Sequence, residues 1–164
     1  MFISSDTNIW IDFQEIGHLD HPFRLSFQYY ISSDTFRDEF LNPATMRLDL
    51  LNLGLQITAA TDEEFMEAMA LQTRYKKLSL YDGFALAIAK MRGWTLLTGD
   101  MPLRRAAVKE KVEVHGTIWV YDQLKEQGKM SEDEYAGAID ELITAVKNGR
   151  CRLPMTELEK RKKI

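Results

Sequence analysis

Short runs of β-branched and aromatic residues alternate with capped, helix-patterned segments along this chain, and that alternation narrows the possible folds sharply. Strands are expected at Phe2–Ser5, 27–31, 55–58, 94–97 and 112–114. Between them, Ile9, Trp10 and Phe13 share one helical face. A helix over 35–41 is stopped by Asn42-Pro43. Thr61-Asp-Glu-Glu64 is a capping box opening a helix to about Tyr75, and Ser79-Leu-Tyr-Asp82 opens another. The second contains Phe84–Ala89, apolar on nearly every side, and so should be the most buried. Helices also follow over 101–109, with Pro102 near the start, and over 117–125. Ser131-Glu-Asp-Glu134 caps one more, to about Asn148. Strands alternating with helices predict an α/β fold of three layers, α/β/α, around a central, mostly parallel twisted sheet. We expect one domain over 1–148, with a core over 1–125 and an added C-terminal helix over 131–148, followed by a basic tail over 149–164.

Composition excludes several classes. At 164 residues and 45% hydrophobic, the chain can build a real core and is too apolar to be disordered. Its single cysteine, Cys151, excludes a disulfide framework and a cysteine-based zinc site. The opening MFISSDTNIW has neither a basic start nor an apolar run of signal-peptide length, and the longest unbroken apolar stretch is far short of a membrane span. The expected setting is a reducing cytoplasm, with no membrane partner. Net charge is −4, which argues against a general nucleic-acid binder. The charge is uneven, however: residues 147–164 carry +5, so the remainder carries −9.

In a parallel sheet the functional cleft lies at the carboxyl ends of the strands, where strand order reverses. Asp6 follows the first strand and Asp100 follows the 94–97 strand through Thr98-Gly99, so both belong on that edge. Asp82 lies in the first turn of the apolar helix, and Glu39, preceded by Asp38, lies in the helix after the second strand. Each acid alone also reads as an ordinary helix cap or a solvated residue. Gly83, which costs a helix about 1 kcal/mol relative to Ala, suggests that something approaches closely beside Asp82. Carboxylates crowded together raise one another's pKa values, and a hard divalent cation resolves that conflict.

In this order and context the motifs resemble PIN-domain proteins, metal-dependent nucleases that include the VapC-like toxins. Ser5-Asp6-Thr7-Asn8 resembles the opening signature of that family. Glu39 in Phe36-Arg-Asp-Glu-Phe-Leu41 matches its second acid, and Asp82 in Ser79-Leu-Tyr-Asp-Gly-Phe-Ala-Leu86 its third. Thr98-Gly99-Asp100 matches the element carrying the fourth. The second acid is Asp38 if the helix register differs by one; the apolar Phe40 and Leu41 that follow favour Glu39. Some members carry a further acid where this chain has Arg104. The similarity covers about residues 1–125.

The resemblance implies Mg²⁺- or Mn²⁺-dependent hydrolysis of RNA phosphodiesters. Asp6, Asp82 and Asp100 are then the metal ligands and Glu39 orients or activates the attacking water. Asn8 and Thr98 are expected to hold the carboxylates in position, and Arg104 and Arg105 to steer the RNA backbone. It also implies a role as the toxin of a toxin–antitoxin pair, an antitoxin partner and a homodimer. The alternative is a PIN-fold module that holds RNA or a protein partner without cleavage. His18, His21 and His115 lack metal-ligand spacing and read as structural. No G-x-S-x-G, G-x-x-x-x-G-K-[ST] or G-x-G-x-x-G occurs, so serine-hydrolase and nucleotide-dependent chemistries have no basis.

Overall fold

A computed structural model of the protein describes residues 1–39 and 45–162. Five strands run in chain order as β1 (Phe2–Ser5), β2 (Gln28–Ser32), β3 (Gln56–Thr58), β4 (Thr95–Leu97) and β5 (Val114–His115). Every pairing between them is parallel, and their order in the sheet is β3-β2-β1-β4-β5. The chain therefore builds outward from β1 to β3, returns across the sheet, and builds outward again on the other side. Strand order reverses between β1 and β4, where Ser5 stands opposite Leu97 and the Asp6 amide reaches the Leu97 carbonyl at 3.4 Å.

Alternate residues of the strands feed two cores on opposite faces. Leu96 packs into one with Phe84 and Leu86, whereas Leu97 packs into the other with Ile3, Trp10 and Ile31. The first face is covered by α4 (Asp62–Arg74), α5 (Leu80–Arg92) and α6 (Met101–Lys109). The opposite face carries α1 (Thr7–Glu15), α3 (Thr45–Leu53), α7 (Thr117–Glu126) and α8 (Glu132–Lys147). A short α2 (Ser33–Glu39) follows β2 directly. The three-layer α/β/α arrangement expected from the alternation is the one present.

The expected capping boxes form at Thr61, Ser79 and Ser131, each with both of its reciprocal hydrogen bonds. The apolar helix is buried continuously from Gly83 to Ala89 and ends on Gly93, whose φ of 69° is the left-handed conformation of a helix stop. Helix α3 has no counterpart in the expected elements. Its sequence, Thr-Met-Arg-Leu-Asp-Leu-Leu-Asn-Leu, buries only Met46 and Leu50 and leaves Leu48 and Leu51 exposed, so it lacks a clean apolar stripe. The expected end of α2 at Leu41, and its stop at Asn42-Pro43, lie outside the described residues. Strand β5 begins later than the expected 112, because Val112 closes the turn after α6 through its amide on Ala107. Residues 155–162 form a ninth helix, α9 (Met155–Lys162), which lays Leu158 fully buried against the α7–α8 side of the core.

The glycine beside Asp82 has a structural reason. A Cβ on Gly83 would lie 2.7 Å from the Ala68 carbonyl oxygen, so the close approach is by the backbone of α4, not by a ligand. Gly83→Ala is expected to force α4 and α5 apart and to cost about 1–3 kcal/mol of stability, read by denaturant unfolding. A neutral result would show that α4 is free to shift.

Candidate active site

Asp6 is the residue after β1 and the N-cap of α1. A cap there requires a short acceptor on extended backbone, and its Oδ1 accepts the Ile9 amide at 3.1 Å. Its Oδ2 accepts the Thr98 hydroxyl, which in turn accepts the Asp100 amide at 3.0 Å. Asp100 caps α6 in the same manner, through Leu103. Asp82 closes the capping box of α5, with Oδ2 on the Ser79 amide. Three helices thus begin at one edge of the sheet, two of them on an aspartate N-cap and the third with an aspartate closing its first turn.

Glu39, at the open end of α2, reaches back to α1 and accepts the Thr7 hydroxyl at 2.8 Å. Asp38 turns elsewhere: it is paired with Arg37 and accepts the Tyr81 hydroxyl. Of the two neighbours, Glu39 is therefore the acid that faces the others.

The electrostatics bind the four acids into one group. Burial pushes the Asp6 carboxyl up to about 7; the hydrogen bonds from Thr98 and Ile9 oppose this, and the charges of Asp82 and Asp100 add to it. Asp82 is raised by burial and by Asp100, against its bonds to Ser79. Glu39 is raised by desolvation and by Asp82 and Asp38, against its bond from Thr7. Asp6 is 4% exposed and, among the described residues, has no cationic side chain paired with it.

A buried carboxylate among other acids is costly unless positive charge arrives. The oxygen-only donor set fits a hard divalent ion in its chemistry. Among the described residues, however, no three Asp, Glu, His or Cys side chains stand as a ready cage. As they stand, these side chains can supply only part of an ion's shell, the rest being water, as Mg²⁺ prefers.

The expected supporting residues divide. Thr98 donates its hydroxyl to Asp6. Asn8 is exposed and bonds none of the acids; Thr7, one residue earlier, holds Glu39 instead. Asp12 escaped sequence reasoning. Its Oδ2 lies 3.0 Å from where a Cβ on Gly99 would stand, so it backs the 98–100 turn, and burial, then Glu15, pushes its carboxyl up to about 6. The available signal was an acid set among Trp10, Ile11 and Phe13. Arg104 and Arg105 follow Asp100 on α6; Arg104 lies against Gly116, and Arg105 is exposed on the far side, beside Tyr75 and Lys109.

No curated protein and no solved structure matches the chain. A family model described as a PIN domain matches residues 2–162, nearly the whole length. With its parallel sheet, and with helix-capping acids gathered where strand order reverses, the chain belongs to the PIN-domain family.

Proposed function

We propose that this protein is a Mg²⁺- or Mn²⁺-dependent endoribonuclease whose centre is Asp6, Glu39, Asp82 and Asp100. PIN domains are in general nucleases, which sets the class. The observation that supports the finer reading is the gathering of four carboxylates from four separate segments at one edge of the sheet, with Thr98 bridging Asp6 to the Asp100 amide and Thr7 holding Glu39 to the start of α1. Asp6, Asp82 and Asp100 would hold the ion, each with one oxygen oriented by a backbone amide. When bound, the ion supplies Lewis acidity toward water and toward the oxygens of the phosphodiester. Glu39, its pKa raised and its carboxylate oriented by Thr7, accepts the proton of the attacking water. Thr98 keeps Asp6 and the Asp100 amide in register. A toxin role, with an antitoxin partner and a homodimeric assembly, is the setting that the resemblance to VapC-like members supports.

A second reading, a PIN fold that binds RNA or a protein without cutting, draws on the lack of a ready three-acid cage among the described residues. Metal titration separates the two. Mn²⁺ at about a hundred times its dissociation constant should add about 2.7 kcal/mol of stability, a rise in melting temperature of roughly 5–11 °C, and cleavage of single-stranded RNA should appear with it. No thermal shift and no cleavage favours the binding module.

A further inference from the structure

Beside the acid cluster lies a groove of about 670 Å³ between the start of α6, the start of α7 and the α9 segment. Helix α7 opens on Gly116, which has no side chain to cap it, and among the described residues no side chain bonds its first amides. Thr117, the first helical residue, lines the groove, is 1% exposed, and its buried hydroxyl has no hydrogen-bond partner. Arg104 brings a guanidinium to the same point: a Cβ on Gly116 would lie 2.8 Å from its Nη1.

The groove's charges are not balanced. Arg161 holds both of its acids, with Asp122 at 2.7 Å and Glu157 at 3.1 Å. Arg104 and Arg152 line it too, and neither has an ion-pair partner among the described residues. Bare helix amides, an orphan hydroxyl and an uncompensated guanidinium together make an anion site. That site adjoins the acid cluster through the buried Thr98 and through Gly99 and Met101, which flank Asp100 and line the groove. The Thr98 carbonyl lies 3.3 Å from the same Gly116 Cβ position, and the Thr98 hydroxyl bonds Asp6. Along the wall, His115 stacks on Trp119, which stacks on Phe27, and His115 and Trp119 line the groove.

We infer that this groove is a phosphate-binding subsite for the RNA strand, in which the N-terminus of α7, Thr117 and Arg104 hold a phosphate next to the one that reacts. The inference deepens the nuclease reading and rests on it for the identity of the strand.

The test is the binding of a short fluorescent single-stranded oligoribonucleotide in EDTA, followed by anisotropy across a salt series. Arg104→Gln should weaken binding roughly tenfold and flatten the salt slope by about one phosphate contact. Thr117→Val should also weaken binding several-fold while leaving the melting temperature unchanged or raised, because it removes a buried, unsatisfied hydroxyl. Wild-type affinity and salt slope in both variants overturn the subsite. So does stabilisation by inorganic phosphate that both variants lose without any change in RNA binding, which reassigns the site to a free anion. Asp6→Asn, measured alongside, keeps the two readings apart. If cleavage depends on Asp6 but Arg104→Gln binds normally, the subsite falls and the nuclease stands. If the wild type never cleaves yet Arg104→Gln and Thr117→Val bind weakly, the subsite stands and the nuclease falls.

Discussion

Asp6→Asn should lower metal-dependent RNA cleavage by roughly a hundredfold or more, since even residues that merely orient a metal ligand cost 10–100-fold. The same variant should remain folded. Asparagine keeps Oδ1 for the Ile9 amide and turns its Nδ2–H toward the Thr98 oxygen, so a donor replaces the acceptor at the second of the two bonds Asp6 makes. It also removes a carboxylate that burial and two neighbouring acids disfavour. Without metal, the melting temperature should therefore hold or rise, and the gain on adding Mn²⁺ should shrink. Loss of activity with intact stability is the signature of a functional acid. Retained cleavage would remove Asp6 from the mechanism, and unfolding would make it a helix cap first and foremost.

Arg92→Ala should be among the most destabilising single changes in the protein, at about 3–5 kcal/mol, or roughly 6–20 °C in melting temperature. Glu64 is 2% exposed and serves twice: its side chain closes the capping box of α4 on the Thr61 amide, and it takes two bonds from the Arg92 guanidinium. Arg92 also reaches Thr58 and the Ala59 carbonyl, and lies over the Trp94 ring, so it ties α4 and α5 to the β3 edge. Removing it leaves a buried carboxylate with no cation. Adding Glu64→Gln to Arg92→Ala should recover part of the loss, because the amide still caps α4 and carries no charge. No recovery would place the cost in lost packing rather than in the unpaired carboxylate.

Features with a local cause were legible from the chain itself. A capping box needs only a hydroxyl and an acid three residues apart, so Thr61, Ser79 and Ser131 announced three helix starts that the structure contains. The run Phe84–Ala89 announced the most buried helix, because a segment apolar on all sides has no solvent face to present. What depended on a neighbour was not legible. Gly83 reads alike whether a ligand or a helix backbone approaches it, and only the packing of α4 shows that it is Ala68. Asn8 and Thr7 are equally polar in sequence, yet the turn of α1 aims Thr7 at Glu39 and leaves Asn8 in solvent. Helix α3 lacks the stripe that marks a helix, and the tail shows a charge run where the structure folds Leu158 into the core.

The order of elements, the parallel sheet and the placing of Asp6, Asp82 and Asp100 at helix starts followed from periodicity and capping, which act over a few residues. That Glu39 rather than Asp38 faces the cluster, that Asp12 backs the turn at Gly99, and that Thr117 and Arg104 meet at the head of α7 were settled by packing between distant segments. Sequence spacing within an element sets which residues share a face, but only the docking of one element on another sets what that face meets.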